Sequence, residues 1–407
     1  MTTAPTATPM PRRRWLQFSL RTMLVLMLVL GCGLAWFARE VQREWAQREA
    51  AVTIRKMGGR VEYVAVSGGM IPTAVAWLGG LIDHDLSGYV DTVSLKGTRV
   101  SDAGLVHLQG LTQLRWLYLS DTQVGDAGLA HLQGLTQLNA LSLANTQVSD
   151  AGLVHLQGLT QLRLLHLSDT RVSDMGLAHL QGLTQLISLE LGNTQVSGAG
   201  LVHLQGLTQL RWLYLSDTQV GDAGLAHLQG LTQLTRLYLS HSRVSDAGLL
   251  HLQGLTQLRV LDLSDTQVGD TGLVRLQRLT QLVELNLDNT QVSDAGLTHL
   301  QGLTQLEMLH LDSTQVSGAG LVHLRGLTQL GWLDLSGTQV TGAGLKHLQG
   351  LAQLWHLDLN NTQVSDAGLV HLRGLTQLQE LTLSNTKVTD AGVAELQKAL
   401  PKCSISR

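Results

Sequence analysis

The sequence predicts an α/β solenoid: a right-handed horseshoe with parallel strands on its concave side, short helices on its convex side, and an N-terminal transmembrane helix. Three observations lead there. First, the chain repeats. Aligned on Thr98, the same slot recurs every 24 residues to Thr386, with Ser242 the one substitute for Thr and no insertion anywhere. This makes thirteen units over residues 90–400, and residues 110–138 and 206–234 are identical. A fixed period of this size is the mark of a solenoid. Second, each unit switches from period-two alternation to i, i+3 spacing of leucines, a strand followed by a short helix. Third, the stretch from Met23 to Ala38 carries no charge.

Composition agrees. A chain of 407 residues normally forms two or three globular domains. Fifteen aromatics are too few for several such cores, while aliphatic ladders need none. Two cysteines, Cys32 and Cys403, exclude a disulfide framework and a cysteine-based zinc site. The net charge of −3 hides an asymmetry. Residues 1–60 hold ten Lys/Arg and three Glu, which leaves 18 basic and 28 acidic residues beyond them, a net of −10. An acidic body is a poor general nucleic-acid binder.

In chain order, residues 1–19 read as a basic arm containing Arg12, Arg13 and Arg14. Residues 20–38 read as the membrane anchor, short against the roughly 20 residues a span needs. Arg21 can snorkel, and Trp15, Trp36 and Phe37 suit the interface. A cleaved signal peptide is the main alternative. Within it, Val29-Leu-Gly-Cys32 loosely resembles a lipoprotein signal. The compact arginine cluster before the span favours a cytoplasmic N-terminus with the repeats outside the cytoplasm. Residues 39–57 read as a helical stalk ended by Gly58-Gly59. Residues 58–89 form an N-terminal capping region with a strand candidate at 61–64 and an apolar segment at 74–82. Residues 401–407 close the C-terminal end.

One unit, residues 114–137, shows the physics. Leu117 and Leu119 alternate with Trp116 and Tyr118, so the strand buries one face. Leu129 and Leu132 line one side of a short helix. Asp126 in its first turn suits capping and the helix dipole. Gly134 followed by Leu135 reads as a helix stop. Seven aliphatics cannot be buried within one unit, but they can be between stacked units.

The pattern LxxLxLxxTxV followed by SDAGLxxLxxL resembles the leucine-rich repeat over about residues 90–400. Thr stands where that motif usually has Asn or Cys, and its hydroxyl can bond the backbone as the chain leaves the strand. The SDAGL half resembles the cysteine-containing subclass familiar from eukaryotic F-box proteins, though no F-box-like domain precedes it. The N-terminal segment and the ending Leu-Gln-Lys-Ala-Leu-Pro-Lys-Cys-Ser-Ile resemble membrane-anchored leucine-rich-repeat proteins of planctomycete-type bacteria. The resemblance implies the architecture and a binding role, and names no ligand.

The sequence holds no nucleophile elbow, phosphate loop, HExxH or CxxC, which argues against an enzyme and against a cofactor. Eleven histidines fill one helical slot from His107 to His371, with Arg275 interrupting and Glu395 ending the series. A metal or pH-sensing ladder is weighed there against a convex residue copied by duplication. The most varied slots flank the strand leucines and face the concave side. They gather Trp116, Tyr118, Trp212, Tyr214, Arg236, Tyr238 and Trp332, the residue types that anchor protein interfaces. Trp355 falls outside these slots. A second group, Asp262, Glu284, Asp288, Asp312, Asp334 and Asp358, suits a cation, a basic partner, or simply solvent. The expected function is a membrane-anchored scaffold that recognises a protein or peptide on its concave face. A structural surface array without a ligand is the alternative.

Overall fold

The computed structural model of the protein describes residues 20–65 and 88–407. The basic arm, Trp15 and the apolar segment 74–82 lie outside the described residues. The chain divides into two compact units, Met1–Glu49 and Ala50–Arg407.

In the first unit the described residues are helical. Helix α1 spans Leu20–Lys56, 37 residues, with no break between the expected anchor and stalk. Along its first part Leu20, Val25 and Leu28 are each more than half exposed. Among the described residues no helix is long and apolar enough to cross a membrane.

The end of α1 belongs to the second unit, and here the stalk reading needs correction. Ala50 and Ile54 are buried in the leucine core, and Met57 packs against it. Residues 50–57 therefore cap the repeats. The stop at Gly58 is as expected: its φ is +84° and the Gly59 N–H donates to the Ile54 carbonyl at 2.9 Å.

The second unit is built on one open sheet of fifteen strands in sequence order. Strands β2 (Gly88–Ser94) to β14 (Glu380–Thr382) carry the thirteen repeats. All pair in parallel with a 24-residue offset, so equal slots lie side by side; Leu213 faces Leu237, for example. Strand β1 (Arg60–Ala65), which contains the 61–64 candidate, runs antiparallel to β2 and covers the first edge. At the other end β15 (Ser404–Ser406) adds a strand the sequence analysis did not mark. Solenoid ends need such cover, because an open end exposes apolar core and unpaired backbone.

The core is the leucine ladder. In the 114–137 unit Leu114, Leu117, Leu119, Val124, Leu129, Leu132 and Leu135 are all 0% exposed. The repeat Thr works as expected: the Thr122 hydroxyl donates to the Leu119 carbonyl at 2.6 Å, and this bond recurs along the stack. The slot before it holds a left-handed residue in each repeat, such as Asp121 at φ 60° and Asn145 at φ 52°. That explains its Asp, Asn and Gly occupants, since these residues visit this region at least cost.

Two local expectations are overturned in the helical half. Gly134 has no positive φ, and a side chain there would meet open space. The turn closes instead through the Leu135 N–H to the Leu132 carbonyl at 2.9 Å, which is why Arg278 fits the same slot. Nor does Asp126 cap its own helical turn. Its carboxylate accepts from the backbone N–H and the hydroxyl of Ser149 in the next repeat, at 2.7 and 2.5 Å. The glycine of the SDAG motif follows from this clamp: a Cβ on Gly152 would lie 2.5 Å from Asp126 Oδ1.

Candidate interaction surface

Each three-residue strand buries its central leucine and turns the two flanking side chains to the opposite face. Strands β7 (Trp212–Tyr214) and β8 (Arg236–Tyr238) are neighbours, with Trp212 beside Arg236 and Tyr214 beside Tyr238. The tyrosine rings stack with centroids 4.5 Å apart and planes 6° from parallel. The Arg236 guanidinium sits 5.2 Å from the Trp212 ring centre, within cation–π range. Trp212 and Arg236 are exposed and both tyrosines half-buried. Burial, then the neighbouring Tyr214, raises the Tyr238 phenol above its ordinary value.

The other expected site residues do not join this group. Trp116 and Tyr118 lie on β3 (Trp116–Tyr118), beside the small Ala140 and Ser142. Trp332, on β12 (Trp332–Asp334), belongs to a separate cluster. It stacks on His356 at 3.5 Å and meets Trp355 edge-on at 5.1 Å. Trp355 is thus part of this cluster and not a bystander. The sequence signal for it was Gly331: a Cβ there would lie 2.6 Å from Trp355 Nε1, so glycine makes the room. His356 is 6% exposed and bonds Glu380 at 3.1 Å.

The acidic residues line the later repeats, largely bonded to nearby backbone. Asp262 accepts from the Ser264 N–H at 3.0 Å and hydroxyl at 2.7 Å. Asp334 accepts from the Ser336 N–H at 2.8 Å, and Asp358 from the Asn360 N–H at 2.7 Å. Asp312 takes the Ser336 hydroxyl at 2.6 Å. Glu284 stands in the Trp212 column, one strand beyond Val260. Among the described residues no group of three His, Cys, Asp or Glu is placed to hold a metal ion.

Burial pushes the Asp288 carboxyl up to about 7, and burial also raises Asp334. Asp288 Oδ1 accepts the Asp312 N–H at 2.6 Å, a bond that Asn would keep. A carboxyl whose pKa is raised by folding favours the native state at pH below its unfolded value. That stability is lost as pH climbs from about 4 through about 7. Asp288→Asn is therefore expected to raise the melting temperature at pH 8 and to change it little at pH 4. Equal effects at both pH values in thermal melts would contradict this account.

The histidine slot proves to be a hydrogen-bonded row. Gln109 Nε2 lies 2.7 Å from His131 Nδ1, Gln133 Nε2 lies 2.6 Å from His155 Nδ1, and the pairing recurs to Gln301 and His323 at 2.8 Å. Each of these imidazoles, from His131 to His251 and at His299 and His323, ties its repeat to the preceding one. An amide can rotate to serve either protonation state, so these rungs make a poor pH switch.

Comparison with known proteins agrees with the geometry. Residues 160–220 match a family described as leucine rich repeat, and residues 254–276 match a second family of the same description. No curated protein matches the sequence. The fold is similar to an internalin of Listeria monocytogenes, 26% identical, with a TM-score of 0.66 over 82% of this chain and 94% of that one. A leucine-rich-repeat protein of Leptospira interrogans is 20% identical with a TM-score of 0.57, covering 74% of this chain and 80% of that one. The functional domain of InlJ from Listeria monocytogenes is 17% identical with a TM-score of 0.53, covering 77% and 71%.

Proposed function

We propose that this leucine-rich-repeat protein is a non-enzymatic recognition scaffold, anchored to a membrane by residues 20–38, that binds a protein or peptide on the concave side of its sheet. The observation that carries the reading is the pairing of Trp212 with Arg236 and of Tyr214 with Tyr238 in the middle of the stack. These residue types dominate interface hot spots. Here they are held in place by a rigid sheet, so a partner meets little ordering cost. Leucines buried beneath them leave the strand face free to vary without loss of the fold.

The test is capture of partners by crosslinking to the full chain. Trp212→Ala or Tyr238→Ala is expected to weaken binding by at least about 1–2 kcal/mol, with at most the small stability loss of a surface ring contact and none of the loss of a core leucine. Val202→Ala, on the helical layer of the repeat that leads into β7, serves as the neutral control. Equal affinity of wild type and the Trp212/Tyr238 double variant would remove the site.

The anchor is supported by the uncharged run Met23–Ala38 within a continuous helix. The arginines before the run favour repeats outside the cytoplasm. Protease added to spheroplasts is then expected to digest the chain beyond residue 40. Repeats protected until lysis would reverse the orientation, and a full-length protein found in the soluble fraction would remove the anchor.

A structural array is the second reading. The identity of residues 110–138 and 206–234, and the histidine row between repeats, favour it. An array without a ligand would yield no capture that depends on Trp212.

A further inference from the structure

The slot just before each strand holds a feature absent from both aromatic columns. It reads Arg115, Arg163, Arg211 and Arg259, one arginine in every second repeat. Arg115 is taken: it bonds Asp91 and lies against Tyr89. Arg163, Arg211 and Arg259 are exposed, and no side-chain hydrogen bond or ion pair engages them among the described residues. Arg236 lies one slot along, over Trp212. The acid among them, Glu190, already faces His166 at 3.4 Å.

The sign of this face then changes within three residues. From Asp262 onward the strand slots carry Glu284, Asp334 and Asp358, with Asp312 just past its strand, and no Lys or Arg as far as Asn360. The basic residues of those repeats, such as Arg275, Arg325 and Lys346, fall in the helical half. The strand face is therefore positive over the middle repeats and negative over the later ones, with the boundary between Arg259 and Asp262.

Resting on the recognition reading above, we propose that the ligand of this face is an extended polypeptide of split charge. Its acidic stretch lies over Arg163, Arg211, Arg236 and Arg259, and its Lys- or Arg-rich stretch over the aspartates. Spacing supports an extended chain laid across the strands. Arginines on alternate strands are about 9.6 Å apart, and a chain in the extended polyproline II form advances about 9.3 Å in three residues and returns every third side chain to the same side. Carboxylates at every third position then meet one arginine each. The eight strand steps from Arg163 to Asp358 cover about 38 Å, roughly 12 extended residues. A polyanion such as a nucleic acid is repelled by the later repeats, and a polycation by the middle ones. A chain of split charge is attracted along the whole length, and the charge boundary sets its register.

The experiment uses the full chain and two synthetic peptides of equal composition. In one, Glu-Gly-Gly units precede Lys-Gly units; in the other, Glu and Lys alternate. The block peptide is expected to bind roughly tenfold or more tightly than the alternating one at low salt, and to lose that margin as salt rises. The triple variant R163E/R211E/R259E, whose exposed positions leave the melting temperature unchanged, is expected to lose the block peptide and to gain an all-lysine peptide. Equal binding of the two peptides by wild type would overturn the proposal. So would dextran sulfate bound as tightly as the block peptide, which would leave a plain anion site. If either occurs while Trp212→Ala still abolishes partner capture, recognition stands and the split-charge ligand falls. If Trp212 and Tyr238 prove irrelevant to capture, the recognition reading itself falls.

Discussion

Leu215→Ala lowers the unfolding free energy by about 2–5 kcal/mol, the range for emptying a leucine-sized space in a tight core. Leu215 is 0% exposed, as are Leu191 and Leu239 in the same slot of the repeats on either side. The cost stays high because backbone hydrogen bonds hold the neighbouring repeats in place. The Leu215 N–H donates to the Tyr238 carbonyl, and the Leu191 N–H to the Tyr214 carbonyl, both at 2.9 Å, so the ladder cannot collapse into the gap. Tyr214→Ala, one residue away, loses the stack with Tyr238, worth about 0.5–1.5 kcal/mol, and empties no core. Denaturant unfolding followed by circular dichroism separates the two. Similar losses for both variants would shift the strand phase by one residue.

Asp222→Ala is expected to cost about 1.5–3 kcal/mol, the net worth of hydrogen bonds to a charged group. The Asp222 carboxylate accepts from the Ser245 N–H at 2.7 Å and from its hydroxyl at 2.6 Å. Gly248 presses against the same group; a Cβ there would come within 2.5 Å of Asp222 Oδ1. A double-mutant cycle with Ser245→Ala isolates the shared part, expected at about 0.5–3 kcal/mol. A loss for Asp222→Ala within the few tenths typical of surface changes would mean that the clamp adds nothing to repeat stacking.

The 24-residue period determined the solenoid, the strand phase and the list of buried leucines. These follow from which side of a three-residue strand a residue takes, and that alternation is local. The repeat Thr was legible for the same reason, since its hydroxyl bonds a carbonyl three residues back. The two aromatic columns were legible as well, because a constant offset puts equal slots side by side. What the tertiary structure decided lies between repeats, where partners sit 22 to 24 residues apart and each role depends on the neighbour. Asp126 looked like a cap for its own helix, yet it reaches Ser149. The histidine slot looked idle until Gln109 was seen against His131. Trp355 looked peripheral until Gly331 admitted its ring beside Trp332. Local alternation says which way a side chain points, while only the stacking distance says which atom it meets.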